Sequence, residues 1–213
     1  DTGRGMFMVD GEGTVLSNSG AGGICVGYNN EGNSFTITNG AQVYSDGGFV
    51  GFSNRGSNNT AIVSGPGSRW DVSGSLEVGS FGARSNRLTV SDGARVTCNT
   101  NRIGANSLGN ELFLVDSFFD VFFDIEIGAN GIGNRLHVSG SSTVTCNRAF
   151  VGGGFSCLSN RLEVVSNASF NVLNELRLEG TASRVTIGDG ATLFATNAAG
   201  TGCVSVVDGS LVV

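Results

Sequence analysis

The chain has 213 residues, among them 35 Gly and 1 Pro; only 14% are charged, and the formal net charge is −6. Abundant Gly with so little Pro and no Gly-X-Y period excludes collagen. The acidic balance argues against a nucleic-acid partner, which needs a basic footprint, and no apolar run approaches the roughly 18 residues of a transmembrane helix. All 12 basic residues are Arg, so Ser, Thr, Asn and Gly must carry most of the polar surface. That balance is common in secreted β-repeat proteins and unusual in cytosolic enzymes.

The sequence starts at Asp1 rather than Met, read as a removed signal peptide or an excised segment. Residues 1–32 form a divergent first copy of a repeat, with an apolar Met6-Phe7-Met8-Val9. The regular copies begin at Asn33 (NSFTITNGAQV), Asn86 (NRLTVSDGARV), Asn134 (NRLHVSGSSTV), Asn160 (NRLEVVSNASF) and Ser183 (SRVTIGDGATL), with looser ones at Asn59 and Asn110. Successive anchors lie 26, 27, 24, 24, 26 and 23 residues apart. Apolar residues fall two and four places after each anchor, as in Leu88/Val90 and Leu136/Val138; this alternation predicts a strand. A turn follows at Asn39-Gly40, Asp92-Gly93, Asp189-Gly190 and Asp208-Gly209, where Gly supplies a positive φ. A second strand lies around Val43, Trp70, Val96, Val144, Phe170 and Leu193. A third ends in an apolar-Gly pair: Val26-Gly27, Val50-Gly51, Val78-Gly79, Ile103-Gly104, Ile127-Gly128 and Val151-Gly152. A Gly/Asn/Ser loop leads to the next anchor, and a partial copy over 202–213 closes the chain.

One residue type at one phase of each copy points to a solenoid, because equivalent residues then stack on adjacent rungs about 4.8 Å apart. The anchors Asn33, Asn59, Asn86, Asn110, Asn134 and Asn160 form such a column, an asparagine ladder that Ser183 ends. The fold expected is all-β: a right-handed parallel β-helix of about eight coils, each of roughly 24 residues with three short strands, in one domain over 1–213 with regular coils over 33–201. Handedness follows from the rule for parallel crossovers.

The pattern N-x-L-x-V-S-[DN]-G-A-x-V, followed by [IV]-G and a Gly/Asn/Ser loop, resembles the degenerate repeats of bacterial autotransporter-type passenger domains and related surface adhesins. Residues Val78 to Val90 carry the resemblance best; it covers 33–213 well and 6–32 weakly. It implies a secreted, elongated protein of the bacterial cell surface acting as stalk, adhesin or fibre. No membrane β-barrel translocator is expected within these 213 residues.

Right-handed β-helices also include polysaccharide-active enzymes, which use acidic groups in a groove walled by long loops. Here the connections are short, Lys is absent and His137 is the only His, placed outward on a first strand. No catalytic residue, cofactor or metal is assigned. The copy at Asn110 lacks the Asp-Gly turn. From Phe119 its alternation predicts Phe119, Val121, Phe123, Ile125 and Ile127 in the core, with Asp120, Phe122, Asp124 and Glu126 outside. Three outward carboxylates on one strand could ligate Ca²⁺, but phase counting favours cross-coil ion pairs of Glu126 with Arg102 and of Asp124 with Arg148.

Phe113, Phe118 and Phe122 are the expected exposed aromatics and the candidates for a lateral contact between subunits. Cys98 and Cys146 share one column two rungs apart, beyond disulfide reach, and are expected reduced and core-facing; Cys25, Cys157 and Cys203 are less constrained. The apolar Met6 and Phe7, and Leu211, Val212 and Val213, read as uncapped solenoid edges suited to self-association. The first functional expectation is therefore a structural subunit of an extracellular filament or surface fibre. An adhesin stalk that binds a glycan or cell surface is the second, and a polysaccharide-active enzyme the third.

Overall fold

The computed structural model describes residues 4–20, 22–195, 203–207 and 209–212. Their regular structure is all β, and the strands pair in parallel from coil to coil. First strands, beginning Met6–Asp10, Ser34–Thr38, Thr60–Ser64 and Arg87–Ser91, stack in chain order into a nine-stranded sheet. The second and third strands build a twelve-stranded sheet that folds around a corner of the coil. Nine stacked first strands make eight coil-to-coil steps, a rise of roughly 38 Å at ~4.8 Å per rung. The described chain is thus a parallel β-solenoid.

Alternation explains the packing. Residues two and four places after each anchor, such as Ile37, Val63, Leu88, Val90, Leu112, Leu114, Leu136 and Val138, are fully buried. They stack in register, with Leu112 between Leu88 and Leu136. Each coil alone would leave this stripe half in water; the neighbouring coils bury it. In the turns after the first strands, Asn39, Asp92 and Asp189 also adopt positive φ, at 55°, 57° and 54°, ahead of their glycines. Asn and Asp tolerate this left-handed state better than other residues with a Cβ. Asp208 lies outside the described residues, so the last of the predicted turns is not placed.

The sequence predicts three separate strands per coil. In four coils the second and third are one continuous strand instead: Arg69–Ser80, Arg95–Ala105, Thr143–Val151 and Ser169–Glu179. Register shifts between Cys98 and Thr100 and between Cys146 and Arg148 show how the corner is turned. A local irregularity bends the strand while the ladder continues on both sides. In the coil of Asn110 the corner is a true break: Phe122 and Phe123 form a bend between Phe118–Val121 and Asp124–Ile127. The expectation of a core Phe123 is therefore corrected; it is 48% exposed. At the outside of a bend neither residue has an interior to point into, so alternation fails there although Val121 and Ile125 on either side are buried.

The widest side chain of the core is matched by the smallest on the facing strand. Trp70 is fully buried, packs edge-on to Phe35 at 5.6 Å between ring centroids and donates from Nε1 to Ser45 Oγ at 3.0 Å. A Cβ built on Gly48 would come within 2.8 Å of the Trp70 ring and 2.7 Å of Leu76 Cδ1. In the inward column of the third strand, Gly48 stands beside Leu76 where the coil below has Ile24. Gly48→Val should therefore lower stability by about 1–3 kcal/mol through overpacking. Combined with Trp70→Leu, its effect should shrink, a coupling that urea unfolding of the four proteins of a double-mutant cycle would read; strict additivity would refute the size match.

Candidate functional site

The anchor asparagines form a hydrogen-bonded column inside one corner of the coil. Each Oδ1 accepts twice from the anchor below it: from Asn86 to Asn110 the backbone N and Nδ2 both lie at 3.0 Å, and from Asn110 to Asn134 at 2.9 and 3.2 Å. The same double contact joins Asn33 to Asn59, Asn59 to Asn86 and Asn134 to Asn160. Above Asn160 the column ends on Ser183, whose Oγ accepts the Asn160 N–H at 3.4 Å. Below Asn33 stands Gly5, which donates its N–H to Asn33 Oδ1 at 2.9 Å and has no amide of its own. The first copy therefore occupies the same phase as the others, with Gly where they carry Asn.

The apolar-Gly pairs complete this column. Gly104 has φ +73°, and a Cβ there would overlap the amide of Asn134, the anchor one rung above Asn110. Gly128 stands in the same relation to Asn160. The missing side chain is the space the amide fills, so each [IV]-G of one copy and the asparagine anchor two copies on are two halves of one contact. Asn59, Asn86, Asn110, Asn134 and Asn160 are fully buried. Asn110 Nδ2 also donates to the carbonyl of Ala83 and Asn160 Nδ2 to that of Gly131.

The outer face carries ion pairs between coils. Arg102 bridges Glu77 on one side at 3.2 Å and Glu126 on the other at 3.1 Å. Asp124 pairs with Arg148, whose Nε and Nη2 stand 2.8 and 2.6 Å from its two oxygens. Both of the cross-coil pairs read from phase are thus present. Among the described residues no group of three or more His, Cys, Asp or Glu is placed to hold a metal ion, and no helix is long and apolar enough to cross a membrane.

Phe113 does not stand free. The guanidinium groups of Arg87 and Arg135 sit 4.8 and 5.2 Å from its ring centre, and His137 packs beside it at 5.4 Å. Cation–π contact from both neighbouring coils covers the ring, so Phe113 is half-buried, a correction to its expected exposure. Phe118 is 44% and Phe122 72% exposed, with Phe123 edge-on to Phe122 at 4.7 Å. At the edge of the first coil Met6, Phe7 and Met8 are exposed; at the opposite edge Leu211 and Val212 are exposed, and Val213 lies outside the described residues. The five cysteines are free: Cys98, Cys146 and Cys157 buried, Cys25 and Cys203 exposed. Burial pushes the Cys146 thiol up to about 12 and raises Cys98 as well.

His137, on the outward side of its first strand, belongs to a half-buried cluster. Its Nδ1 lies 3.0 Å from Glu163 Oε2, which Arg135 Nε also reaches at 2.9 Å. Burial alone would raise the Glu163 carboxyl, but hydrogen bonds from His137 and Arg135 outweigh it, and the pKa ends below the ordinary value. Comparison with family models, with curated proteins and with solved structures finds no match to the chain.

Two outcomes follow for stability. Asn110→Ala removes the acceptor for two buried Asn86 donors and should cost about 2–4 kcal/mol, whereas Asn110→Ser, which keeps an oxygen as Ser183 does, should cost less. Urea midpoints of the two variants check this, and equal losses would argue against the ladder. For Glu163 the folded pKa lies below the unfolded one, so its contribution is present above the unfolded value near 4.3 and fades as pH falls through the folded one. Glu163→Gln should therefore be less stable than wild type at pH 6, with the gap narrowing in paired unfolding curves as pH falls below the unfolded value of about 4.3.

Proposed function

We propose that this protein is a structural subunit of an extracellular fibre or surface layer, most naturally of a bacterial cell. The observation that supports it is the uninterrupted ladder from Asn33 to Ser183, which repeats one contact from coil to coil along the rod. The likeness of its repeats to passenger-domain and adhesin repeats belongs to the same reading.

Two kinds of surface would serve assembly. The end coils carry strands paired on one side only among the described residues, with exposed Met6, Phe7 and Met8 at one end and Leu211 and Val212 at the other. Such parallel edges accept another coil. Phe118 and Phe122 project laterally from the coil of Asn110 and would join neighbouring rods.

The register makes the longitudinal contact testable. The inward column of the third strand runs Ile24, Gly48, Leu76, Asn101 and Ile125, then Ala149, Leu176 and Val204. If the first strand of the next copy stacks on Ser210–Val212, itself one rung beyond the coil of Cys203–Val207, Ile24 of that copy lies two rungs above Val204. Cys203 and Cys25 then lie roughly 12 Å apart on the outer face, from two rungs of ~4.8 Å and two residues of ~3.3 Å.

A bismaleimide with a flexible spacer that spans this distance should therefore link chains into ladders on a denaturing gel. Cys203→Ser should abolish the ladders, Met8→Asp should shorten the filaments seen by negative-stain microscopy, and Phe118→Ser with Phe122→Ser should separate them laterally. Discrete single rods at every concentration, with no cross-linking between chains, would instead favour an adhesin stalk.

A further inference from the structure

The outer face of the second strands is hollowed into a groove that no contact described above explains. It has a volume of about 700 Å³ and runs across the coils from Ser17 and Asn18 to Thr145 and Leu173. Its floor is one column of outward residues in register: Tyr44, Asp71, Thr97, Asp120 and Thr145, one per rung. Asp46 and Asn99 line the corner beside it, and Phe122 and Leu173 rise at its far end. The floor is fixed in place. Asp71 accepts from Thr97 Oγ1 at 2.7 Å and pairs with Arg69; Asp120 accepts from Arg95 Nε at 2.9 Å; Asp46 accepts from Ser73 Oγ at 3.2 Å.

We propose that this groove binds an extended, uncharged, β-1,4-linked polysaccharide lying parallel to the solenoid axis. Three properties select that class. First, the groove lies on the face of a sheet, whose backbone N–H and C=O groups are already used between coils. A peptide cannot add there as a strand, so the ligand must be read by side chains. Second, the floor offers one polar group per rung of ~4.8 Å. A straight glycan presents its hydroxyls at a comparable interval, one ring for each coil, and the β-1,4 linkage keeps it straight enough to follow the column. Third, Asp46, Asp71 and Asp120 outnumber Arg69, the one cation among the lining residues. Phosphate, sulfate or uronate would meet like charge, whereas sugar hydroxyls can donate to carboxylates in charge-assisted bonds. Tyr44 and Phe122 supply amphipathic or apolar rings against which the C–H faces of the sugars can pack.

This inference does not rest on filament assembly. Phe122 belongs to both surfaces, so the test uses Tyr44 and Asp71, which lie away from the lateral contact. Titration calorimetry with cellohexaose and mannohexaose should show saturable binding to at least one. Tyr44→Ala and Asp71→Ala should each weaken it about tenfold at an unchanged unfolding midpoint; if Asp71→Ala disturbs the fold, Tyr44→Ala carries the test alone. Phe155→Ala, on a fully exposed residue outside the groove, should leave binding as it was. Absence of saturable binding to both hexasaccharides would overturn the proposal. So would indifference to the Tyr44 and Asp71 changes, or equal binding of an oligogalacturonate.

Discussion

A buried amide has to be answered by another polar group, and in this rod the answer comes from the coil above. Leaving an amide unpaired in an apolar corner costs on the order of 1–3 kcal/mol. Asn110 lies between Asn86 and Asn134, and its oxygen and its Nδ2 are both engaged. A slip of one residue would turn the anchor outward, since strand side chains alternate, and would bring the next side chain against the space left by a glycine such as Gly104. The ladder thus fixes register, while the apolar columns, which would tolerate several sequences, supply most of the attraction. Buried polar groups commonly trade stability for a unique arrangement. Here they do so once per coil, at the corner where the chain leaves one turn and enters the next.

With register fixed from inside, the outer face is free to vary. The ion pairs Arg102–Glu126 and Asp124–Arg148 are partly exposed. Such pairs contribute only a few tenths to about 1 kcal/mol each. The cover over Phe113 is of the same kind: two guanidinium groups lie on a ring that water would otherwise meet. In each case neighbouring coils make the contact, so stability is assembled from nearest-neighbour terms, as in other repeat proteins. Local change therefore stays local. The coil of Asn110 can lose its turn and extrude Phe122 and Phe123 while Phe119, Val121 and Ile125 remain buried.

Much of this was legible because the repeat converts sequence distance into spatial distance. A residue 23 to 27 places from another of the same phase lies directly above it, so the ladder, the two cross-coil ion pairs and the buried Cys98 and Cys146 could all be read by counting. What counting misses has physical causes. Phe123 breaks the alternation because a corner has no inner face. Asn101 stands in an inward column between Leu76 and Ile125, fully buried, with Nδ2 bonded to the Leu76 carbonyl; a polar residue at the bend after Cys98 gives no periodic sign that it points inward. The anchor of the first coil is invisible because it is Gly5, with no side chain to mark the phase. The cover over Phe113 depends on side-chain reach across rungs, and the groove on seven coils presenting the same flank, so neither is written in any single copy.

The division between inside and outside also bears on how such a rod acquires a role. A column that faces outward repeats at the rung spacing whether or not its residues match, so any run of polar side chains along it becomes a linear array at about 4.8 Å. In the column from Tyr44 to Thr145 that array coincides with a hollow flanked by a continuous corner and by the extruded Phe122. Along the hollow the coils turn the corner unevenly: through a shifted register at Cys98, through the bend at Phe122 and Phe123, and through a second shifted register at Leu173. Irregularity at this corner, which the ladder at another corner allows without loss of register, is what gives a uniform rod a place for a ligand.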